Sequence, residues 1–520
     1  MTDLNLNSVR WLALVSLWGG LGASALSAAD QPQWGERFSR NMVSEEMGLP
    51  ESFDPKTGRN VKWVAELGNQ THSTPVVAGG RVLIGTNNGR SRHPRNKGDR
   101  GVLMCFDEKD GRFCWQLLVP KRGPTVFWDW PNAGICSPAT VEGRRVYIVS
   151  NRGEVMALDL DGLSNGNDGP FQDEARHAVP AGEEAPPLSE TDADILWLFD
   201  YTKVCGVRQH DSAHSSILVD GPFLYVNTSN GVDDNHVHIS APEAPSLIVL
   251  DKMTGQWVAA DNEHIGPRIF HSTWSSPALG QANGRKAILF CGGDGVVYAF
   301  DPLPWTLHEG QPVALPSKLP TTNGVASLQR IWRFDCDSTG PKENVHQYNN
   351  NRKVSPSNIK SMPVFHDGRV YVTAGGDLWW GKNQAWLKCF DPQGQGDIST
   401  SAPRWSYALE KHSMSTPAVR DGLVFVADCG RRIHCVDART GTACWTHDTR
   451  DELWASPYVA DGKVYLGTRK GEFLVFAASR KKQLLFSLDL DSPISATTTA
   501  ANGVLYVTTQ THLYALQQKP

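Results

Sequence analysis

The stretch Asp437-Ala-Arg-Thr-Gly441-Thr-Ala-Cys-Trp445 decides the fold, because similar stretches occur at two other places in the chain. They are Asp107-Glu-Lys-Asp-Gly111-Arg-Phe-Cys-Trp115 and Asp54-Pro-Lys-Thr-Gly58-Arg-Asn-Val-Lys-Trp63. In each copy Asp ends one strand, Gly takes the positive-φ position of a turn, and Trp anchors the next strand. The motif therefore predicts a β-hairpin that is repeated along the chain.

A second signature precedes the hairpins: Ser-x-Pro, an Asp-Gly or Asn-Gly turn, and an alternating apolar strand. Its copies are Ser73-Thr-Pro75, Cys136-Ser-Pro138, Ser215-Ser-Ile217, Ser275-Ser-Pro277, Ser361-Met-Pro363, Ser415-Thr-Pro417, Ala455-Ser-Pro457 and Ser495-Ala-Thr497, the third and the last being degenerate. Eight such units predict an all-β, eight-bladed β-propeller of four-stranded antiparallel blades. The last unit lacks an outer strand, so we expect the N-terminal strand with Trp63 to pair with the last blade.

Targeting and composition restrict the class of protein. The apolar stretch from Trp11 to Ala25, followed by Ser27-Ala28-Ala29, predicts a signal peptide at residues 1–29 and export to the periplasm or the medium. We expect residues 30–520 to form one propeller domain, with a polar insertion in blade 2 at residues 161–194. No further apolar run has membrane length, so we expect no integral membrane segment in the mature chain, and we expect a monomer. A charged fraction of 20% and a net charge of −5 exclude a disordered chain and a basic nucleic-acid binder.

Two cysteine pairs flank the hairpin turns, Cys105 with Cys114 and Cys435 with Cys444. If the strands pair as expected, the two side chains of each pair face each other, which predicts intrablade disulfides in an exported protein. The alternative is that cysteine only replaces the small residue found at this position in other blades.

The blade motifs resemble the pyrroloquinoline-quinone-like repeat family, whose hairpins carry Ala-x-Asp-x-x-Thr-Gly-x-x-x-Trp. The resemblance covers nearly the whole mature chain. The stretch from Ser229-Asn-Gly231 to Ala241-Pro-Glu-Ala-Pro-Ser246 is similar to large secreted propeller proteins of aquatic bacteria. The family includes quinoprotein alcohol dehydrogenases and a non-catalytic lipoprotein that assists outer-membrane protein assembly, so the fold leaves the function open.

One mouth of the central channel is the expected site, because the residue before each Ser-x-Pro copy points there. Among these residues, the predicted ligand-binding ring is His72, His214, Trp274, Lys360 and Trp454. Loops on the same face add Trp128, Trp130, His210, His271, Trp379, Trp380, His412, Arg431 and Arg432. Aromatic faces suit a planar or polyhydroxylated ligand, and arginine suits a carboxylate. The alternative is that tryptophans cap the core, histidines bond neighbouring carbonyls and arginines are solvated.

The loop from Asn227 to His238 is the richest polar segment. Its oxygen groups could hold calcium, and Asp233, Asp234, His236 and His238 could hold a transition metal. A hydrogen-bonded loop is the interpretation that we prefer, because turn-rich loops attract these residue types in any case.

Three functions remain open. The preferred one is a binding or scaffold propeller whose mouth recognises an envelope protein, a glycan or a small planar ligand. The resemblance implies, as the alternative, a dehydrogenase that uses pyrroloquinoline quinone and calcium, with Asp211, Asp428 or His214 as the candidate catalytic group. No two cysteines are adjacent in the chain, which weakens that alternative. A polysaccharide-degrading enzyme is the second alternative.

Overall fold

A computed structural model describes residues 29–92, 98–123, 125–316 and 318–518. Apart from Ala29, the predicted signal peptide lies outside the described residues. The all-β, eight-bladed propeller is confirmed: four antiparallel strands follow one another in each blade, from the channel outward. Within the described ranges, no helix is long and apolar enough to span a bilayer.

The strands follow the eight predicted units. Blade 1 comprises Val76–Ala78, Arg81–Asn87, Arg100–Asp107 and Phe113–Pro120, and blade 2 comprises Thr140–Glu142, Arg145–Val149, Glu154–Asp159 and Ile195–Asp200. Blade 3 comprises Leu218–Asp220, Phe223–Asn227, Leu247–Asp251 and Trp257–Ala260, and blade 4 comprises Ala278–Ala282, Arg285–Cys291, Val296–Phe300 and Arg330–Asp335. Blade 5 comprises Val364–His366, Arg369–Gly375, Ala385–Phe390 and Pro403–Leu409. Blade 6 comprises Ala418–Arg420, Leu423–Asp428, Arg432–Asp437 and Ala443–Asp448, and blade 7 comprises Tyr458–Ala460, Lys463–Gly467, Glu472–Ala477 and Leu484–Asp489.

Blade 8 closes the ring in the expected way. Its inner three strands are Thr499–Ala501, Val504–Thr508 and His512–Leu516, and its outer strand is the N-terminal Val61–Glu66. The outer strand pairs antiparallel with His512–Leu516, with Trp63 opposite Ala515. The first and last strands thus share one sheet, and no blade is left open at the junction.

Short additional strands and helices accompany the four-stranded blades. Edge strands Thr321–Thr322 and Val325–Ser327 extend blade 3, Gly396–Asp397 extends blade 4, and Trp305–His308 pairs with Gln311–Ala314 in a separate hairpin. The α-helices are Glu174–His177 and Tyr201–Val204, and the 3₁₀ helices are Gly162–Asn165, Gly266–Arg268 and Val345–Tyr348. Residues 161–194 lie between the third and fourth strands of blade 2, where the polar insertion is predicted.

Outer-strand tryptophans join each blade to the next. Their indole N–H groups donate to carbonyl oxygens of the neighbouring blade: Trp63 to Glu108 at 3.0 Å, Trp115 to Leu160 at 2.9 Å, Trp197 to Lys252 at 3.2 Å, Trp405 to Ala438 at 3.0 Å and Trp445 to Ser479 at 2.9 Å. Four of these rings cover a positive-φ glycine, at Gly111, Gly162, Gly255 and Gly441, where a Cβ would come within 2.8 Å of the indole. The repeated Gly and Trp therefore form one contact across successive blades.

An N-terminal segment, residues 29–46, crosses the end of the channel opposite the predicted mouth. It contacts the inner strands near Val77, Val141, Ile217, Leu279, Phe365, Val419, Val459 and Asn502, one position in each blade. Most of these positions lie four residues after the first residue of a Ser-x-Pro entry, which at about 3.3 Å per residue is about 13 Å along the channel. The segment closes that end and leaves the mouth free to carry a site.

Arg40 anchors the segment from within. Its guanidinium group is fully buried and donates to the Pro277, Trp34, Ser216 and Ile217 carbonyl oxygens and to the Ser216 hydroxyl, at 3.0–3.1 Å. Burial lowers the pKa of Arg40 to about 9, which still leaves it charged at neutral pH. This buried arginine therefore ties the segment to blades 3 and 4.

The two predicted cysteine pairs lie side by side. A bulge between Cys105 and Phe106 places Cys105 opposite Trp115, and Cys435 lies opposite Trp445 in the same way. The thiols of each pair interact through a hydrogen bond, and all the described cysteines are free thiols. The disulfides stay a prediction.

The tryptophan contact predicts the cost of a methyl group on its glycine. Gly441 and Gly284 have the same φ of 72°, but a Cβ at Gly441 would lie 2.6 Å from the Trp405 indole, whereas at Gly284 no described atom lies within 4 Å. We expect Gly284→Ala to lower the free energy of unfolding by about 1 kcal/mol through left-handed strain. Gly441→Ala should lower it by about 1–3 kcal/mol more, because the methyl group overpacks the indole. Urea denaturation followed by tryptophan fluorescence measures both, and equal losses would contradict the docking role.

Candidate functional site

The structure brings the five predicted ring residues together at one mouth. The His72 and Trp454 rings lie 6.2 Å apart between centroids, and the His214 and Trp274 rings lie 4.5 Å apart. The Lys360 Nζ atom lies 4.1 Å from the Trp274 ring centroid. Burial lowers the pKa of His72 to about 4 and that of His214 to about 3, so both are neutral at pH 7.

Lys360 is enclosed rather than solvated. Its ammonium group lies between the Trp274 and Trp379 rings, the latter at 4.3 Å, and its side chain is 1% exposed. It pairs with the buried Asp377 carboxylate, with 2.9 Å between Nζ and Oδ2. The ammonium group loses its hydration when it is buried. Cation–π contacts with the two indole rings and the ion pair with Asp377 offset that loss.

Asp377 organises the mouth, and the sequence reasoning missed it. Its Oδ2 also accepts from Asn358 Nδ2 at 3.0 Å and His271 Nδ1 at 3.1 Å. Its Oδ1 accepts the Trp379 and Trp380 backbone N–H groups at 2.9 and 3.0 Å, which forms the turn that presents both tryptophans. Burial opposes its ionisation, but Lys360 and His271 outweigh burial and hold the pKa of Asp377 well below the usual value. An Asp two residues before a Trp-Trp pair was the available signal.

Three histidines form a cluster beside this network. His210 precedes blade 3, His236 lies between two strands of blade 3, and His271 precedes blade 4. Their ring centroids lie 4.8–5.4 Å apart, and one ring nitrogen from each lies within 4.8 Å of the others. Asp211 adds a carboxylate, with Oδ2 at 3.5 Å from His210 Nε2 and 3.6 Å from His271 Nε2.

Aromatic rings hold the cluster in place. Phe127 stacks on His210 with 5.7 Å between centroids, and Trp380 stacks on His236 with 4.6 Å. Burial and the neighbouring histidines lower the pKa of His210 well below its usual value, and burial lowers that of His236 to about 4. The His210 and His236 imidazoles are therefore neutral at pH 7 and have lone pairs to offer.

The contacts of the polar loop are those of a hydrogen-bonded loop, the interpretation preferred above. Only its His236 joins the cluster. Asp233 Oδ1 accepts the Val237 and His238 backbone N–H groups at 2.8 and 3.2 Å, and Asp234 pairs with Arg208. His238 is exposed, with Nδ1 at 3.4 Å from Asp233 Oδ2. Asp233, Asp234 and His238 thus serve the hydrogen-bonded loop.

Three further predicted site residues, Trp128, Trp130 and His412, lie outside the three-histidine cluster. Trp128 packs under Arg208, with 4.2 Å from the guanidinium to the ring centroid, and Trp130 is half exposed against Phe127. His412 is buried, and burial lowers its pKa to about 3.

The blade 6 candidates form their own contacts. Asp428 is buried, accepts the Glu410 backbone N–H, and bonds His434 Nε2 at 3.0 Å. Arg432 pairs with Glu410 at 2.9 Å, and Arg431 lies 3.5 Å from a carboxylate at the blade edge. These contacts support the loop. At the mouth, the Arg469 guanidinium lies over the Trp454 ring, 4.2 Å from its centroid.

The family model described as outer membrane protein assembly factor BamB matches residues 51–260, 327–453 and 430–519, most of the chain. The chain belongs to this family. The BamB structure from Moraxella catarrhalis superposes with a TM-score of 0.52 and 13% identity, over 87% of this chain and 98% of that one, which shows the shared propeller fold.

Curated relatives of this BamB-family chain are similar over shorter stretches. Lupanine 17-hydroxylase [cytochrome c] of a Pseudomonas species is 27% identical over 36% of this chain and 27% of its own length. Quinohemoprotein alcohol dehydrogenase of Comamonas testosteroni is 30% identical over 15% of this chain and 13% of its own length. The chain therefore spans about a quarter or less of these relatives.

The Asp377 network predicts a large cost for removing one charge. Asp377→Asn keeps the shape but leaves Lys360 buried without a counter-ion, so we expect a loss of about 3–5 kcal/mol in the free energy of unfolding. Asp367→Asn, at an exposed carboxylate of the same blade, should change it by less than about 0.5 kcal/mol. Urea denaturation compares the two variants, and a small effect of Asp377→Asn would show that Lys360 is neutral or hydrated.

Proposed function

We propose that this chain is an exported binding propeller whose mouth holds an acidic sugar against tryptophan. The observation that carries the proposal is the arrangement of Trp379 and Trp454. Their rings lie 6.4 Å apart and nearly perpendicular, and Trp379 is 37% exposed although its backbone is held by Asp377. A rigid, exposed aromatic face covers the apolar side of a pyranose at little entropic cost.

The charge at the rim supports an anionic ligand. Arg469 lies over Trp454 and donates to Ser495 Oγ at 2.6 Å, so its guanidinium is positioned by a neutral partner. Arginine recognises carboxylates through paired N–H donors. A uronate sugar presents both features, a flat apolar face and a carboxylate.

The quinone-and-calcium alternative was tested against the groups at the mouth. Calcium takes six to eight oxygen ligands. Here the described cluster presents three imidazoles and the single carboxylate of Asp211, and both oxygens of Asp377 are already engaged by five donors. The donor set does not fit calcium, and this supports a binding function over a dehydrogenase.

The experiment is a titration with trigalacturonate, followed by tryptophan fluorescence. We expect saturable binding and a loss of about tenfold or more in affinity for Trp379→Ala, because a buried aromatic contact contributes at least 1–2 kcal/mol. Trp130→Ala is the matched control, since Trp130 is similarly exposed but its described ring contact is with Phe127 and not with Trp379 or Trp454. Maltotriose, which has no carboxylate, should bind more weakly.

Two outcomes would contradict this function. One is the absence of trigalacturonate binding at millimolar concentration, or an equal effect of the two variants. The other is a bound chromophore together with dye reduction when pyrroloquinoline quinone and calcium are added with an alcohol, because that result establishes the dehydrogenase.

A further inference from the structure

We propose that His210, His236 and His271 bind one divalent transition-metal ion, with Asp211 as the fourth donor. The three imidazoles come from separate loops, yet a nitrogen of each lies within 4.8 Å of the others. Two nitrogens that are bound to one tetrahedral ion at about 2.0–2.1 Å lie about 3.4 Å apart. Metal binding therefore requires the ring nitrogens to approach one another by about 1.4 Å or less.

Each histidine has its second ring nitrogen engaged by an oxygen acceptor. His210 Nδ1 lies 2.9 Å from the Val232 carbonyl oxygen, His271 Nδ1 lies 3.1 Å from Asp377 Oδ2, and the His236 ring bonds the Asp234 carbonyl. Such acceptors hold a metal-binding imidazole in the tautomer whose other nitrogen carries the lone pair. The His271–Asp377 pair is the carboxylate–histidine arrangement found behind metal ligands.

Two buried atoms at the centre are left over. His210 Nε2 and Asp211 Oδ1 have no hydrogen-bond partner among the described residues, and both are inaccessible to solvent. Buried polar atoms without a partner are rare in folded proteins, because each costs about 1–3 kcal/mol. A cation between them and Asp211 Oδ2 would satisfy both atoms.

The backbone at this point is strained. Asp211 and Ser212 both have positive φ, 63° and 94°, which costs free energy in residues with a Cβ. The strain turns the Asp211 carboxylate back toward His210 and His271.

The donor types select the metal. Imidazole with one carboxylate suits zinc, copper, nickel or iron, while calcium and magnesium prefer oxygen alone. The Asp211 side chain is 18% exposed, so an ion can enter from the mouth. The inference is independent of the sugar-binding proposal, since the cluster contains neither Trp379 nor Trp454.

The test is calorimetric titration of the chelator-stripped full chain with Zn²⁺. We expect one ion per chain, with a dissociation constant at or below the micromolar range, and at least 100-fold weaker binding by His236→Ala. His238→Ala is the matched control, because this exposed histidine lies two residues away in the same loop and should bind zinc as the unchanged chain does.

Electron paramagnetic resonance of the unchanged chain with one equivalent of Cu²⁺ gives a test that needs no variant. Hyperfine splitting from three nitrogen ligands is the expected result, and it stands even if His236→Ala fails to fold. The proposal is overturned if zinc and copper bind no tighter than millimolar, if Cu²⁺ shows fewer than three nitrogen ligands, or if His238→Ala weakens zinc binding as much as His236→Ala.

Discussion

The contact between a tryptophan of one blade and a positive-φ glycine of the next is the constraint on which the structure depends. At blades 5 and 6, the Trp405 indole covers Gly441, and its N–H donates to the Ala438 carbonyl at 3.0 Å. A glycine is required here twice, for the backbone angle and for the close approach of the ring. Because the same contact recurs around the ring, the blades are held at a repeated spacing, and Trp63 carries it across the chain termini.

The closed ring of blades brings the site residues together. His210, His271 and Asp377 enter the mouth from loops of three different blades, and no local sequence pairing would bring them together. The N-terminal segment with Arg40 closes the other end, so the mouth is the open end of the channel. The polar interior of the mouth is then organised by one carboxylate, Asp377, which serves a lysine, a histidine and two tryptophan amides.

The fold was predictable because its signals are local. Gly441 and Trp445 lie within one hairpin, and the number of Ser-x-Pro copies, eight, equals the number of blades. The ring of His72, Trp274 and Lys360 could be predicted from the repeat, since equivalent positions point to one mouth. Arg40 and Asp377 could not, because their partners come from other blades and depend on tertiary structure. His236 was paired in sequence with His238, whereas the propeller brings it to His210 and His271, which are 26 and 35 residues away in the chain.

A crystal structure of the chain, grown without added metal, tests the central claim most directly. The account predicts eight blades and one mouth at which ring nitrogens of His210, His236 and His271 converge within 4.8 Å, with Asp377 bonded to both Lys360 and His271. A ring with another number of blades, or histidines pointing into separate loops, would contradict it.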